Sequence, residues 1–182
     1  KIKRNYSWRE LRSAVFKFAN YLKNNNIKKN DRIAAILPNI PETVISFLST
    51  AQLGAIWSSC SSDFGKKAII DRFKQIEPKV LLFSDYYFYN NKKVDTTKII
   101  KEVIKNIPSI EKIILIPYEF NETDYQLDFE YDNLYNILQQ EIEYNRFEKF
   151  NFNHPLYILY SSGTTGVPKC IVHSSGGALI QH

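Results

Sequence analysis

Between Leu156–Tyr160 and Cys170–His173, two runs that read as strands, lies Ser161-Ser162-Gly163-Thr164-Thr165-Gly166-Val167-Pro168-Lys169. These residue types suit a polyphosphate. Gly163 and Gly166 allow positive φ and let backbone N–H groups approach oxygen with no Cβ in between. Ser161, Ser162, Thr164 and Thr165 supply hydroxyl donors, Pro168 stiffens the exit, and Lys169 brings a cation to the phosphate charge. Two other readings compete. A flexible Ser/Thr/Gly linker has the same composition, but strand-like runs abut this loop on both sides and hold it within a sheet. A Walker A loop needs Gly-Lys-Ser/Thr opening a helix, whereas Pro168-Lys169-Cys170 leads into a strand.

Other reactive side chains carry less. His154, His173 and His182 have no partners at metal-ligand spacing, so no metal site is expected, and His173 reads as a packed strand residue. Cys60 and Cys170 are far apart, which argues for reduced thiols in a cytoplasmic protein rather than a disulfide framework. Cys170 adjoins Lys169 but reads as a buried, inert thiol. Trp57 reads as core and Asn90-Asn91-Lys92-Lys93 as a solvated turn. A formal net charge of +5 fits an anionic ligand, yet the basic residues are too few and scattered for nucleic acid. Lys98, Lys101 and Lys105, at helical spacing, form one solvated face.

The elements that must hold the loop follow from apolar spacing. Ser7-Trp8-Arg9-Glu10 is a capping box, and Trp8, Leu11, Val15, Phe18 and Leu22 form a helical apolar stripe ending near Asn24-Asn25-Asn26. Strands are expected at Ile33–Leu37, Ala55–Ser59, Val80–Phe83 and Ile113–Ile116. Helices are expected at Pro41–Leu53, Lys66–Ile76 and Thr97–Asn106. Short apolar strands alternating with amphipathic helices predict an α/β fold, a mostly parallel sheet covered by helices. Tyr118–Asn153 is less regular, with one helix expected over Asn133–Gln140. No apolar run approaches the ~20 residues of a membrane span, and no signal-peptide pattern opens the chain. A start at Lys1 with no methionine, and an end inside an apparent helix start at Gly176–Ile180, suggest a piece of a longer protein.

The nine-residue loop in its strand context resembles the signature loop of the adenylate-forming superfamily: acyl-CoA synthetases, luciferases and peptide-synthetase adenylation domains. Leu53–Gly65, Asp71-Arg72-Phe73, Ile76–Val80 and Pro168–Ser174 resemble its acetoacetate-activating CoA ligases in particular. Acetyl- and propionyl-CoA synthetases are the nearest alternative, and a non-catalytic nucleotide-binding module is a third. The resemblance implies that residues 1–182 are part of a large N-terminal AMP-binding domain, and that the enzyme acts in fatty acid and lipid metabolism. It implies ATP with Mg²⁺, CoA as co-substrate and acetoacetate as the acid. It assigns Ser161, Ser162, Gly163, Thr164, Thr165, Gly166 and Lys169 to the ATP phosphates. The adenine and ribose segments, the acyl pocket and a C-terminal domain with its catalytic lysine would lie beyond His182. No general acid, base or nucleophile is therefore expected here, and residues 1–182 alone should be inactive.

Overall fold

Apolar residues two apart in the strands and three or four apart in the helices each find their own face. The computed structural model describes residues 4–122, 125–141, 147–162 and 166–181. Its first helix, α1 (Trp8–Asn24), begins as the capping box requires, with Glu10 N donating to Ser7 Oγ at 3.2 Å and Ser7 N donating to Glu10 Oε2 at 2.7 Å. Val15, Phe16, Phe18, Ala19 and Leu22 are buried, but Trp8 is 86% exposed, against the expected stripe. Helical side chains lean toward the N-terminus, so a residue in the first turn overhangs the helix end instead of the sheet.

Five parallel strands form the body: β1 (Arg32–Ile36), β2 (Ile56–Cys60), β3 (Val80–Ser84), β6 (Lys112–Ile116) and β8 (Pro155–Tyr160). A short strand, β7 (Asp132–Asn133), extends one edge in parallel, and β9 (Cys170–Ser174) closes the other edge antiparallel to β8. The seven-stranded order is β7-β6-β3-β1-β2-β8-β9. Ile33, Ala35, Leu37, Trp57 and Leu82 pack on one face with α1 and α5 (Leu134–Gln139). Ala34, Ile36, Cys60, Leu81 and Phe83 pack on the other with α3 (Lys66–Phe73) and α4 (Thr97–Asn106). Burial on both faces is why these strands read as unbroken apolar runs. Lys98, Lys101 and Lys105 lie on the solvated face of α4.

The crossover from α2 (Pro41–Gln52) to β2 turns at Gly54, whose φ is +65°. A Cβ there would sit 2.4 Å from the Phe150 ring, so the glycine serves both the turn and the close approach. Its carbonyl accepts from Asn30 N at 2.8 Å and from His154 Nε2 at 2.9 Å. Buried His154 therefore ties the entrance of β8 to the turn before β2.

Two features depart from expectation. Tyr86–Tyr89 (β4) and Lys92–Asp95 (β5) form an antiparallel hairpin, so the polar turn at Asn90-Asn91 is its two-residue tip. Both asparagines have positive φ (46° and 60°), as a primed hairpin turn requires. Within the irregular stretch after Tyr118, Tyr125, Leu127, Phe129 and Tyr131, alternating along the chain, pack against the α3–α4 side. No helix among the described residues is long and apolar enough to cross a membrane.

Candidate phosphate-binding site

Because β2 and β8 are parallel and adjacent, the segments leaving their C-terminal ends share one edge of the sheet. After β2, residues 61–65 lead into α3; after β8, the loop 161–169 leads into β9. The carboxyl ends of parallel strands are where α/β sheets bind ligands. Here an open cleft of about 570 Å³ runs beside α3, lined by Lys66, Lys67, Asp71 and Arg72 from the helix and by Ser162 and Pro168 from the loop. Three basic side chains against one acid favour an anion there.

The loop closes on itself. Tyr160 pairs with Cys170 across the hairpin, Ser161 N donates to Lys169 O at 3.0 Å, and Lys169 N donates to Ser161 Oγ at 3.0 Å. Ser161 thus serves first as the loop's own clasp, with its hydroxyl proton still able to donate outward. Ser162 is exposed at the cleft. Gly166 has φ +152°, and a Cβ on it would meet no atom of the described residues within 4 Å. Lys169 is exposed, and no ion pair among the described residues engages it. Gly163, Thr164 and Thr165, also assigned to phosphate by sequence, lie outside the described residues.

Beneath the loop the packing is tight. The Arg72 guanidinium lies 4.8 Å from the Phe64 ring centroid and 5.7 Å from that of Tyr160, and donates to Ala68 O at 2.8 Å. The buried Ser58 hydroxyl bridges the Ile158 carbonyl (3.0 Å) and the Tyr160 hydroxyl (2.9 Å). Burial pushes the Tyr160 phenol well above its ordinary range, against the opposing pull of Ser58 and Arg72. Burial likewise pushes the Cys60 thiol up to about 12, only partly offset by Arg72. Cys170 is half-buried, not buried as expected, because it opens edge strand β9; burial nonetheless raises its pKa. His173 lies against Tyr157 with ring centroids 4.9 Å apart and planes tilted by 30°, and Trp57 is core.

The sequence profile described as "AMP-binding enzyme" matches residues 1–182. The chain belongs to the AMP-binding enzyme family. An acetoacetyl-coenzyme A synthetase of Rhizobium meliloti (strain 1021) is 40% identical over 195 residues, covering 100% of this chain and 28% of that protein. The acetoacetyl-CoA synthetase of Macaca fascicularis is 40% identical over 182 residues, covering 97% and 27%. The solved structure of an acetoacetyl-CoA synthetase from Streptomyces lividans superposes with a TM-score of 0.90 at 37% identity, covering 98% of this chain and 27% of that one. The chain thus spans about a quarter of the length of these relatives.

In this AMP-binding enzyme the loop needs more support than sequence assigned to it. Asp71-Arg72-Phe73 carried part of the resemblance, but no role for Arg72 was legible there. Its place between Phe64 and Tyr160 appears only in three dimensions. A divalent cation, were one bound in the cleft, would find the Asp71 carboxylate and the Ser162 hydroxyl there, hard oxygen donors of the kind Mg²⁺ takes. Among the described residues no group of three His, Cys, Asp or Glu could hold a metal, so water or ligand oxygens would complete any such shell.

Proposed function

We propose that the protein containing this chain activates acetoacetate with ATP and transfers the acyl group to CoA. An acetoacetate oxygen attacks the α-phosphorus, the bond to pyrophosphate breaks, and acetoacetyl-AMP forms. The CoA sulfur then attacks the acyl carbon, releasing AMP and leaving acetoacetyl-CoA. The observation that carries this reading is the clasped loop at the C-terminal end of β8, in a chain about 40% identical throughout to acetoacetyl-CoA synthetases.

Ser161, Ser162, Gly163, Thr164, Thr165, Gly166 and Lys169 would face the β- and γ-phosphates, where charge grows as pyrophosphate leaves. Preorganised donors there stabilise the transition state more than the ground state. ATP would enter with Mg²⁺, which would neutralise phosphate charge; Ser162 and Asp71 would be the cleft's oxygen donors toward it. Residues 1–182 would be part of a larger N-terminal AMP-binding domain. The acyl pocket, adenine contacts and catalytic lysine would come from outside them. Two cysteines carried as thiols suit work in the cytoplasm.

The test uses the full-length protein with acetoacetate, ATP, Mg²⁺ and CoA. It should exchange labelled pyrophosphate into ATP only when acetoacetate is present, and form AMP and thioester in equal amounts. Production of ADP and phosphate, or exchange that ignores the acid, would remove the proposal. Residues 1–182 alone should exchange nothing above a protein-free blank.

A further inference from the structure

Gln75, one residue past the C-cap of α3, reaches across 93 positions of sequence to the loop. Its Nε2 donates to Asp71 O at 2.8 Å and to Pro168 O at 2.9 Å, which uses both amide hydrogens. Its Oε1 lies 3.6 Å from Cys170 Sγ, within reach of the thiol proton. The opposite amide orientation would set oxygen against two carbonyls, so the network itself fixes which end is which.

The Pro168–Lys169 peptide plane is therefore held from both sides. Its carbonyl accepts from Gln75, and its N–H donates to Ser161 Oγ. The next carbonyl, that of Lys169, accepts from Ser161 N. Lys169 thus leaves a backbone fixed at three successive polar groups, and only Gln75 among these partners comes from outside the hairpin. We propose that Gln75 is a positioning residue of the phosphate loop: by holding the Pro168 carbonyl against the end of α3, it keeps Lys169 and the loop exit in the arrangement that receives ATP. This rests on the reading of the loop as an ATP-phosphate site.

Without the bridge, the competent arrangement becomes one of several, and apparent affinity falls by the fraction of time it is populated. In the full-length enzyme, Gln75→Met keeps length and neutrality but removes every hydrogen bond. The KM for ATP in the adenylation half-reaction should rise about three- to tenfold, the range expected for one such bond. Its kcat should stay within about twofold, since a saturated loop is held by the ligand. Thioester formation from supplied acetoacetyl-AMP should not change. Hydrogen exchange should quicken in peptides spanning residues 161–170 and nowhere else in the sheet. Gln75→Glu, which loses the donor to Pro168 but retains an acceptor for Cys170, should shift the KM in the same direction. An unchanged KM in either variant, or equal slowing of both half-reactions, overturns the role. Lys169→Ala run alongside separates the two levels. If it leaves adenylation intact, the loop reading fails and this inference with it; if it slows adenylation while Gln75→Met leaves the KM for ATP unchanged, only the positioning role falls.

Discussion

Gly166→Ala isolates what the loop's backbone does from what its side chains do. At φ +152° an alanine is strained by roughly 1–3 kcal/mol. The new Cβ meets no atom of the described residues within 4 Å, so they add no packing cost to the strain. In the ligand-free enzyme an exposed loop can relax, and the melting temperature should barely move. On the proposed reading, ATP would have to find the backbone in its strained arrangement and accept a methyl where phosphate approaches. The strain then appears in binding, and about 1–3 kcal/mol corresponds to a KM for ATP roughly fivefold to a hundredfold higher. The assay is acetoacetate-dependent pyrophosphate exchange across a range of ATP concentrations, with a thermal melt of the same sample. A normal KM would mean that the loop does not approach phosphate at Gly166. A melting temperature lowered enough to explain the lost activity would mean that the glycine serves the fold alone.

Lys169→Ala would remove the proposed charge-assisted contact to phosphate and should slow adenylation by roughly a hundredfold while sparing thioester formation from supplied acyl-adenylate; equal losses in both steps would contradict a role at the leaving pyrophosphate. Gly54→Ala combines positive φ with a Cβ 2.4 Å from Phe150 and 3.0 Å from His154 Nε2, and should destabilise by about 2–4 kcal/mol in denaturant titration. A loss below about 1 kcal/mol would show that Phe150 yields freely. Cys60, buried and pushed up to about 12, should resist a thiol reagent at pH 8 until the protein unfolds, and prompt labelling of both cysteines would refute that packing. Burial, reinforced by Glu42, raises Tyr6 from 10.0 to about 12. Its neutral form is favoured in the fold, so its contribution is intact below pH 10 and is lost as pH climbs toward 12. Ultraviolet titration should show a tyrosine ionising in that window, and Tyr6→Phe should remove it.

Legibility in the sequence followed the range of each interaction. The Ser7–Glu10 capping box spans three residues, and strands such as Val80–Ser84 announce themselves because both of their faces are buried. The placement of residues 161–169 between two strands was readable because apolar runs flank them directly on both sides. The β4–β5 hairpin left a weak local trace, the Asn90-Asn91 pair with positive φ, easily taken for an ordinary polar turn. Trp8 was misread because spacing records which face a residue shares but not that the helix begins there. Asp85 accepts from Tyr86 N, Tyr118 N and the Tyr125 hydroxyl, and so anchors the hairpin's root. Like the Gln75–Pro168 bond, two of those contacts join residues more than 30 positions apart, for which no pattern in a single sequence gives warning.

The identity of the acid bears most directly on the proposed function. Acetoacetate carries a keto oxygen that needs a donor, whereas butyrate fills similar space without it and acetate fills less. A pocket built for acetoacetate would leave that donor unpaired with butyrate, at a cost of about 1–3 kcal/mol, and acetate would lose packing as well. CoA-thioester formation by the full-length enzyme should therefore be measured with the three acids in parallel. The expected result is acetoacetate first by kcat/KM, with butyrate and acetate lower by at least about tenfold; acetate in first place would contradict it and put the protein with the acetyl-CoA synthetases.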